Sequence, residues 1–152
     1  MNHLLTLVYH YDREKGLDKY NLFYSDNGRY RERWVVTSSH RLGQQKGDQH
    51  STGGLLPSML DVSFSNYFVK LAPWDSRHVR GVDGNFYQIT PWDFKTKQGT
   101  RRAHFGIHLD INNNGTMGCI GMSRSEFAKF EKKAAQLRRG GLNKVPLLVF
   151  AS

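Results

Sequence analysis

Alternating apolar and polar positions run through most of this chain, and strands are the elements they predict. Leu5, Leu7 and Tyr9 alternate with Leu4, Thr6 and Val8, giving a first strand over about Leu4–Tyr11. A charged turn around Gly16 leads to a second strand, Tyr20–Tyr24. Asp26-Asn27-Gly28 is a strong hairpin signal, because Asn and Gly accept the left-handed backbone that a tight turn between strands requires. Arg29–Ser38 alternates and ends in β-branched residues, a third strand. Ser39–Ser51 is polar and reads as a loop. Met59–Pro73 alternates well enough for one or two strands through Val62, Phe64 and Tyr67–Leu71. Trp74–Gly84 is a charged loop, and Asn85–Thr90 is a strand ended by Pro91. Phe105–His108 is a further strand, followed by a loop over Asp110–Gly115 (DINNNG).

One helix stands out. Ser123 followed by Glu126 forms a capping box, with Glu126 expected to reach back to the cap. Phe127, Phe130, Ala134 and Leu137 then share one face, and Lys132, Lys133, Arg138 and Arg139 lie toward the C-terminal end, where cations suit the dipole. Gly140-Gly141 stops it. Lys144–Phe150 is a last strand whose Pro146 predicts a sheet edge or a bulge. The pattern is that of a mostly β, β-rich α+β protein, one domain over 1–152, with no internal repeat.

Composition narrows the picture. Hydrophobic residues make up 38% of the chain, enough for a core, and no apolar run is long enough for a membrane helix. The start shows no basic and apolar leader, so the reading is a chain made in the cytoplasm and delivered by another route, or one given without its leader. The net charge of +9 attracts polyanions: nucleic acid, or a bacterial wall with its teichoic acids and peptide carboxylates. The single cysteine excludes an internal disulfide.

That cysteine carries the candidate chemistry. Cys119 lies between Gly118 and Gly121, so a carbonyl can approach both the sulfur and the neighbouring backbone N–H groups. A thiol attacks as the thiolate and needs a base, and His108, one loop away, is the best placed. His104 would share a strand face with His108 and line the cleft. Backbone N–H groups of Gly118 and Cys119 are the candidate oxyanion donors. Arg101, Arg102 and Arg124 are candidates for a substrate carboxylate, and Thr116 for positioning the base or the loop. Two metal readings compete. Asp110–Gly115 matches the first half of a calcium loop, but Gly121 stands where the bidentate acid belongs. His104, His108, Asp110 and Cys119 make a conceivable zinc set, against which the glycine-flanked setting favours an exposed nucleophile.

Ile107-His108, a loop, and Thr116-Met117-Gly118-Cys119-Ile120 together resemble the signature of L,D-transpeptidases, the YkuD-like cysteine enzymes of peptidoglycan. The chain looks most like the short variants of phage proteins and type VI secretion effectors. Thr52–Pro57 (TGGLLP) and the N-terminal strands resemble family segments as well. Leu109, Met117 and Gly121 depart from residues common in the family. The resemblance implies a mixed-sheet β-sandwich with one long helix after the cysteine. It implies a thioester at the L-centre of diaminopimelate in the tetrapeptide stem, passed to an amine (crosslinking or D-amino-acid exchange) or to water (L,D-carboxypeptidase action). It calls for no metal or cofactor, places the action in the periplasm or cell wall after delivery, and makes an immunity protein the natural partner of such an antibacterial toxin. The rival readings are a basic nucleic-acid- or polyanion-binding module, with nucleic acid the less favoured partner, and a non-catalytic peptidoglycan binder.

Overall fold

The structure, a computed structural model, describes residues 2–9, 20–40, 56–75, 84–110 and 115–151. The loops expected over 12–19 and 41–51, the TGGL part of the 52–57 segment, and residues 111–114 lie outside them.

Strands β1 (His3–Tyr9), β2 (Tyr20–Asp26) and β3 (Arg29–His40) form an antiparallel meander. Asn27 (φ 48°) and Gly28 (φ 77°) both take the left-handed backbone, so the turn twists with its strands rather than against them. Alternation then buries Leu5, Leu7, Tyr20, Leu22, Tyr24, Trp34 and Val36. The middle of the chain departs from expectation. Residues 59–65 form turns and bends, and only β4 (Tyr67–Lys70) is a strand. Trp74–Asp75 forms a short β5 where a loop was predicted, β6 (Asn85–Thr90) matches its prediction, and a small hairpin of β7 (Asp93–Lys95) and β8 (Arg101–Ala103) was not foreseen. β9 (Gly106–Leu109) and β10 (Gly115–Met122) carry the motif, and β11 (Lys144–Ala151) ends the fold.

The main sheet runs β4-β11-β1-β2-β3-β10-β9-β6-β5, and β4 also pairs with β6, through Phe68↔Thr90 and Val69↔Ile89. Eight strands therefore close into a barrel, with β5 appended to β6. The β-rich character with one helix among the described residues is as predicted, whereas the sheet closes on itself instead of splitting into the two faces of a sandwich. Pro146 is also not on a sheet edge: β11 lies between β4 and β1. At position 146 the strand is registered with β4 alone, and pairing with β1 starts at Leu147, so a residue without an N–H is tolerated there.

Helix α1 (Arg124–Arg139) packs against the barrel's core side chains. Ser123 Oγ accepts from the Glu126 N–H, as the capping signal predicts. The Glu126 carboxylate does not close the box; it accepts from the Val35 N–H of β3 at 3.1 Å, tying the helix to the barrel. Phe130 meets Trp34 and Tyr87 edge-on at 5.5 and 5.0 Å between centroids. Burying each such ring contributes roughly 1.5–3 kcal/mol. Glu131 accepts from Asn85 Nδ2 and from the Tyr87 hydroxyl, both at 2.7 Å, fixing the rotation of the helix. The helix ends at Gly140, with Gly141 at φ 94°. Among the described residues no helix is long and apolar enough to cross a membrane.

Candidate active site

Two buried apolar residues, Phe86 and Cys119, stand apart from the single core cluster. Their neighbours Tyr87 and Ile120 belong to that core, so the alternation of β6 and β10 turns Phe86 and Cys119 to the other, outer face of the barrel. His108 joins them by the same rule, since Ile107 is a core residue.

The parallel pairing of β9 with β10 sets their distance. His108 is registered with Gly121, two positions beyond Cys119 on the same face. With about 4.8 Å between strands and about 3.3 Å per residue, their Cα atoms lie roughly 8 Å apart on the diagonal, a gap an imidazole and a thiol span between them. His108 Nδ1 lies 2.9 Å from the Leu109 carbonyl oxygen, which can only accept. A neutral imidazole held this way carries its proton on Nδ1 and its basic lone pair on Nε2. Phe86 stacks on the imidazole (6.0 Å, 16°) and fixes its plane.

Cys119 is 8% exposed. Its thiol donates to the His104 carbonyl at 3.5 Å. Burial pushes the thiol up to about 11, against which the Gly106 backbone N–H works weakly. The N-terminus of α1 does not favour the thiolate, because β10 runs on to Met122 before the helix starts. That is about 10 Å of strand, beyond the reach of an effect confined to the first turn. Cys119 therefore rests as a thiol and depends on a base. Iodoacetamide will alkylate it about tenfold or more slowly than free cysteine at pH 7, with a rate that climbs as pH rises toward 11. Intact mass against time checks this; a rate at or above that of free cysteine would mean a resting thiolate–imidazolium pair.

His104 plays a different part from the one its spacing implies. It lies between β8 and β9 at φ 67°, not on the strand with His108. A non-glycine residue there marks a constrained turn, and this one aims the His104 carbonyl at the thiol while its exposed ring packs on Trp92 at 4.8 Å. Its N–H donates to the Trp92 carbonyl. Trp74, Phe86, Trp92 and His104 thus form a continuous aromatic shelf beside the thiol (Trp74–Phe86 4.8 Å, Phe86–Trp92 6.1 Å). Sequence reasoning missed this shelf. Its signal was the placing of three large aromatics, Trp74, Phe86 and Trp92, around the His strand.

The arginines are not brought together. Arg101 forks onto Asp93 (Nε–Oδ1 and Nη2–Oδ2, both 3.0 Å), and this pair draws the Asp93 carboxyl below its ordinary value and the guanidinium above its own. Arg102 is 3% exposed and lies over the Phe105 ring, so burial withholds it from any substrate carboxylate at the surface. Arg124 is exposed at the start of α1. The backbones of Thr116 and Gly118 are on β10, but the Thr116 side chain lies outside the described residues. The register of β10 against β3 shifts between Gly115 and Ile120, so the regular ladder resumes only after the cysteine. Such irregularities are common where a backbone is re-aimed beside a reacting group.

A cavity of about 250 Å³ adjoins the His108–Cys119 face at Gly121, lined also by Val35, Thr37, Asp110, Ser123 and Glu126. Among the described residues, no group of three His, Cys, Asp or Glu is placed to hold a metal ion. No protein-family model and no curated protein matches the chain.

Proposed function

We propose that the chain is a cysteine acyltransferase of the L,D-transpeptidase type, acting on the tetrapeptide stems of peptidoglycan. The single observation that supports this best is the shared outer face of Cys119 and His108 on adjacent parallel strands, with Nδ1 of His108 held by the Leu109 carbonyl. The motif of Ile107-His108 and Thr116–Ile120 supplies the family part of the reading.

In this mechanism His108 Nε2 takes the thiol proton as Sγ attacks the carbonyl at the L-centre of the third stem residue. Backbone N–H groups of Gly118 and Cys119 face the developing oxyanion. The C–N bond to D-Ala breaks, the leaving amine takes the proton from His108, and a thioester remains. An amine acceptor forms a new amide; water leaves a free carboxylate. On this reading the enzyme works on the bacterial wall, as a wall-modifying toxin or phage protein would.

Purified disaccharide-tetrapeptide, with and without D-Met, tests this. The expected result is a Cys119 adduct weighing the substrate less alanine, with D-Ala release, both lost in Cys119→Ala. A folded protein giving neither adduct nor release would overturn the enzyme reading in favour of a wall binder without turnover.

A further inference from the structure

On the outer surface where β4, β11 and the end of α1 meet, Lys70, Ala72, Arg138, Asn143 and Lys144 line a cleft of about 300 Å³. We propose that this cleft is a phosphate-binding site, taking one phosphate group of a flexible phosphodiester chain.

Three observations carry the assignment. Lys70 and Lys144 stand directly opposite each other across the antiparallel β4–β11 pair, with Cβ atoms about 5 Å apart, an arrangement that destabilises a sheet unless an anion relieves it. Among the described residues no carboxylate lines the cleft and no ion pair joins Lys70, Arg138 or Lys144. By contrast Arg31, Arg101, Lys129 and Lys133 each have an acid within ion-pair distance. Finally, two of the three cations are held in place. Arg138 Nη1 donates to the Leu71 carbonyl at 2.7 Å, which leaves the rest of the guanidinium fork for an oxyanion, and Lys144 Nζ sits over the Phe68 ring at 4.1 Å. A helix C-terminus attracts cations by itself, which explains Arg138. It does not explain Lys70 and Lys144, which belong to two strands. The cleft is concave and local, so it fits a single phosphate on a chain that can bend into it. A rigid duplex presents its phosphates along a convex cylinder and needs a stripe of cations instead.

The test is an amide-resolved NMR titration with inorganic phosphate at low ionic strength, against chloride of matched ionic strength. Saturable shifts at Lys70–Ala72 and Asn143–Lys144, in phosphate alone, are expected. Lys70→Gln and Lys144→Gln should each raise the apparent Kd about tenfold, and Cys119→Ala should leave it unchanged, separating this site from the acyl-transfer reading. In chloride, Lys70→Gln should melt at the same or a higher temperature, because the like-charge pair is relieved; a lower melting temperature with unchanged phosphate binding would show a purely structural lysine. Poly(glycerol phosphate) should bind more tightly per phosphate than duplex DNA. Shifts spread over the whole basic surface, equal shifts in chloride, or tighter binding of the duplex would overturn the proposal.

Discussion

Gly106→Ala will destabilise the protein by about 3 kcal/mol, a large effect for one methyl group. A Cβ at position 106 would fall inside van der Waals contact with Cζ, Cε1 and Cε2 of Phe86. Such a clash is cheap only where the ring can swing away, and Phe86 cannot: Trp74, Trp92 and His108 pack against it from other directions. In a domain of this size the loss appears as a fall in Tm of roughly 6–12 °C. Phe86→Leu in the same chain should recover part of it, so the double variant will be more stable than the sum of the single changes allows. The same substitution disturbs the site, because the Gly106 N–H faces the Cys119 sulfur and Phe86 holds the imidazole plane. A Gly106→Ala protein melting within a degree of the parent would refute this packing.

His108→Gln will lower the rate of thioester formation by about 10²–10⁴ while leaving the fold intact. The thiol at about 11 is the reason: at pH 7 only about one molecule in 10⁴ carries the thiolate without help. With the base removed, hydroxide must do the work, so the variant's rate should rise close to tenfold per pH unit up to the thiol's own pKa. The parent's rate should rise less steeply. Initial rates of D-Ala release from pH 6 to 10, with circular dichroism as the check on folding, decide it. Parallel profiles for the two proteins would remove His108 from the chemistry and leave it a packing residue under Phe86.

Much of the local structure was readable because it depends on near neighbours. Asn27-Gly28 specifies its turn, Ser123 its helix start, and Pro91 the end of the Asn85–Thr90 strand. The unread parts depend on distant partners. Closure rests on two residue pairs between β4 and β6, and nothing in Tyr67–Lys70 announces β6 as a neighbour. The β7–β8 hairpin is built from two charged tripeptides, too short to alternate visibly; only its register, Phe94 opposite Arg102, shows that Arg102 points inward. In the site, Cys119 and His108 were legible as residue types at a spacing. His104 departs from the strand position that its four-residue spacing from His108 implies, because a left-handed residue breaks the strand there. The aromatic shelf was hidden because Phe86 and Tyr87 are both buried on opposite faces of one strand, and a sequence pattern does not say that the outer face of a barrel is also covered.

The position of β11 between β1 and β4 has a consequence for how the chain comes into being. As the polypeptide leaves the ribosome, the motif strands and the helix emerge before residues 144–151. Until those residues arrive, β1 and β4 each present a bare edge, and the ring has a gap one strand wide. The β1–β11 contacts that fill one side of it link the two ends of the described chain, so they form late and slowly compared with the meander. Until β11 docks, the sheet is open at one strand position, the arrangement most exposed to strand exchange with another copy.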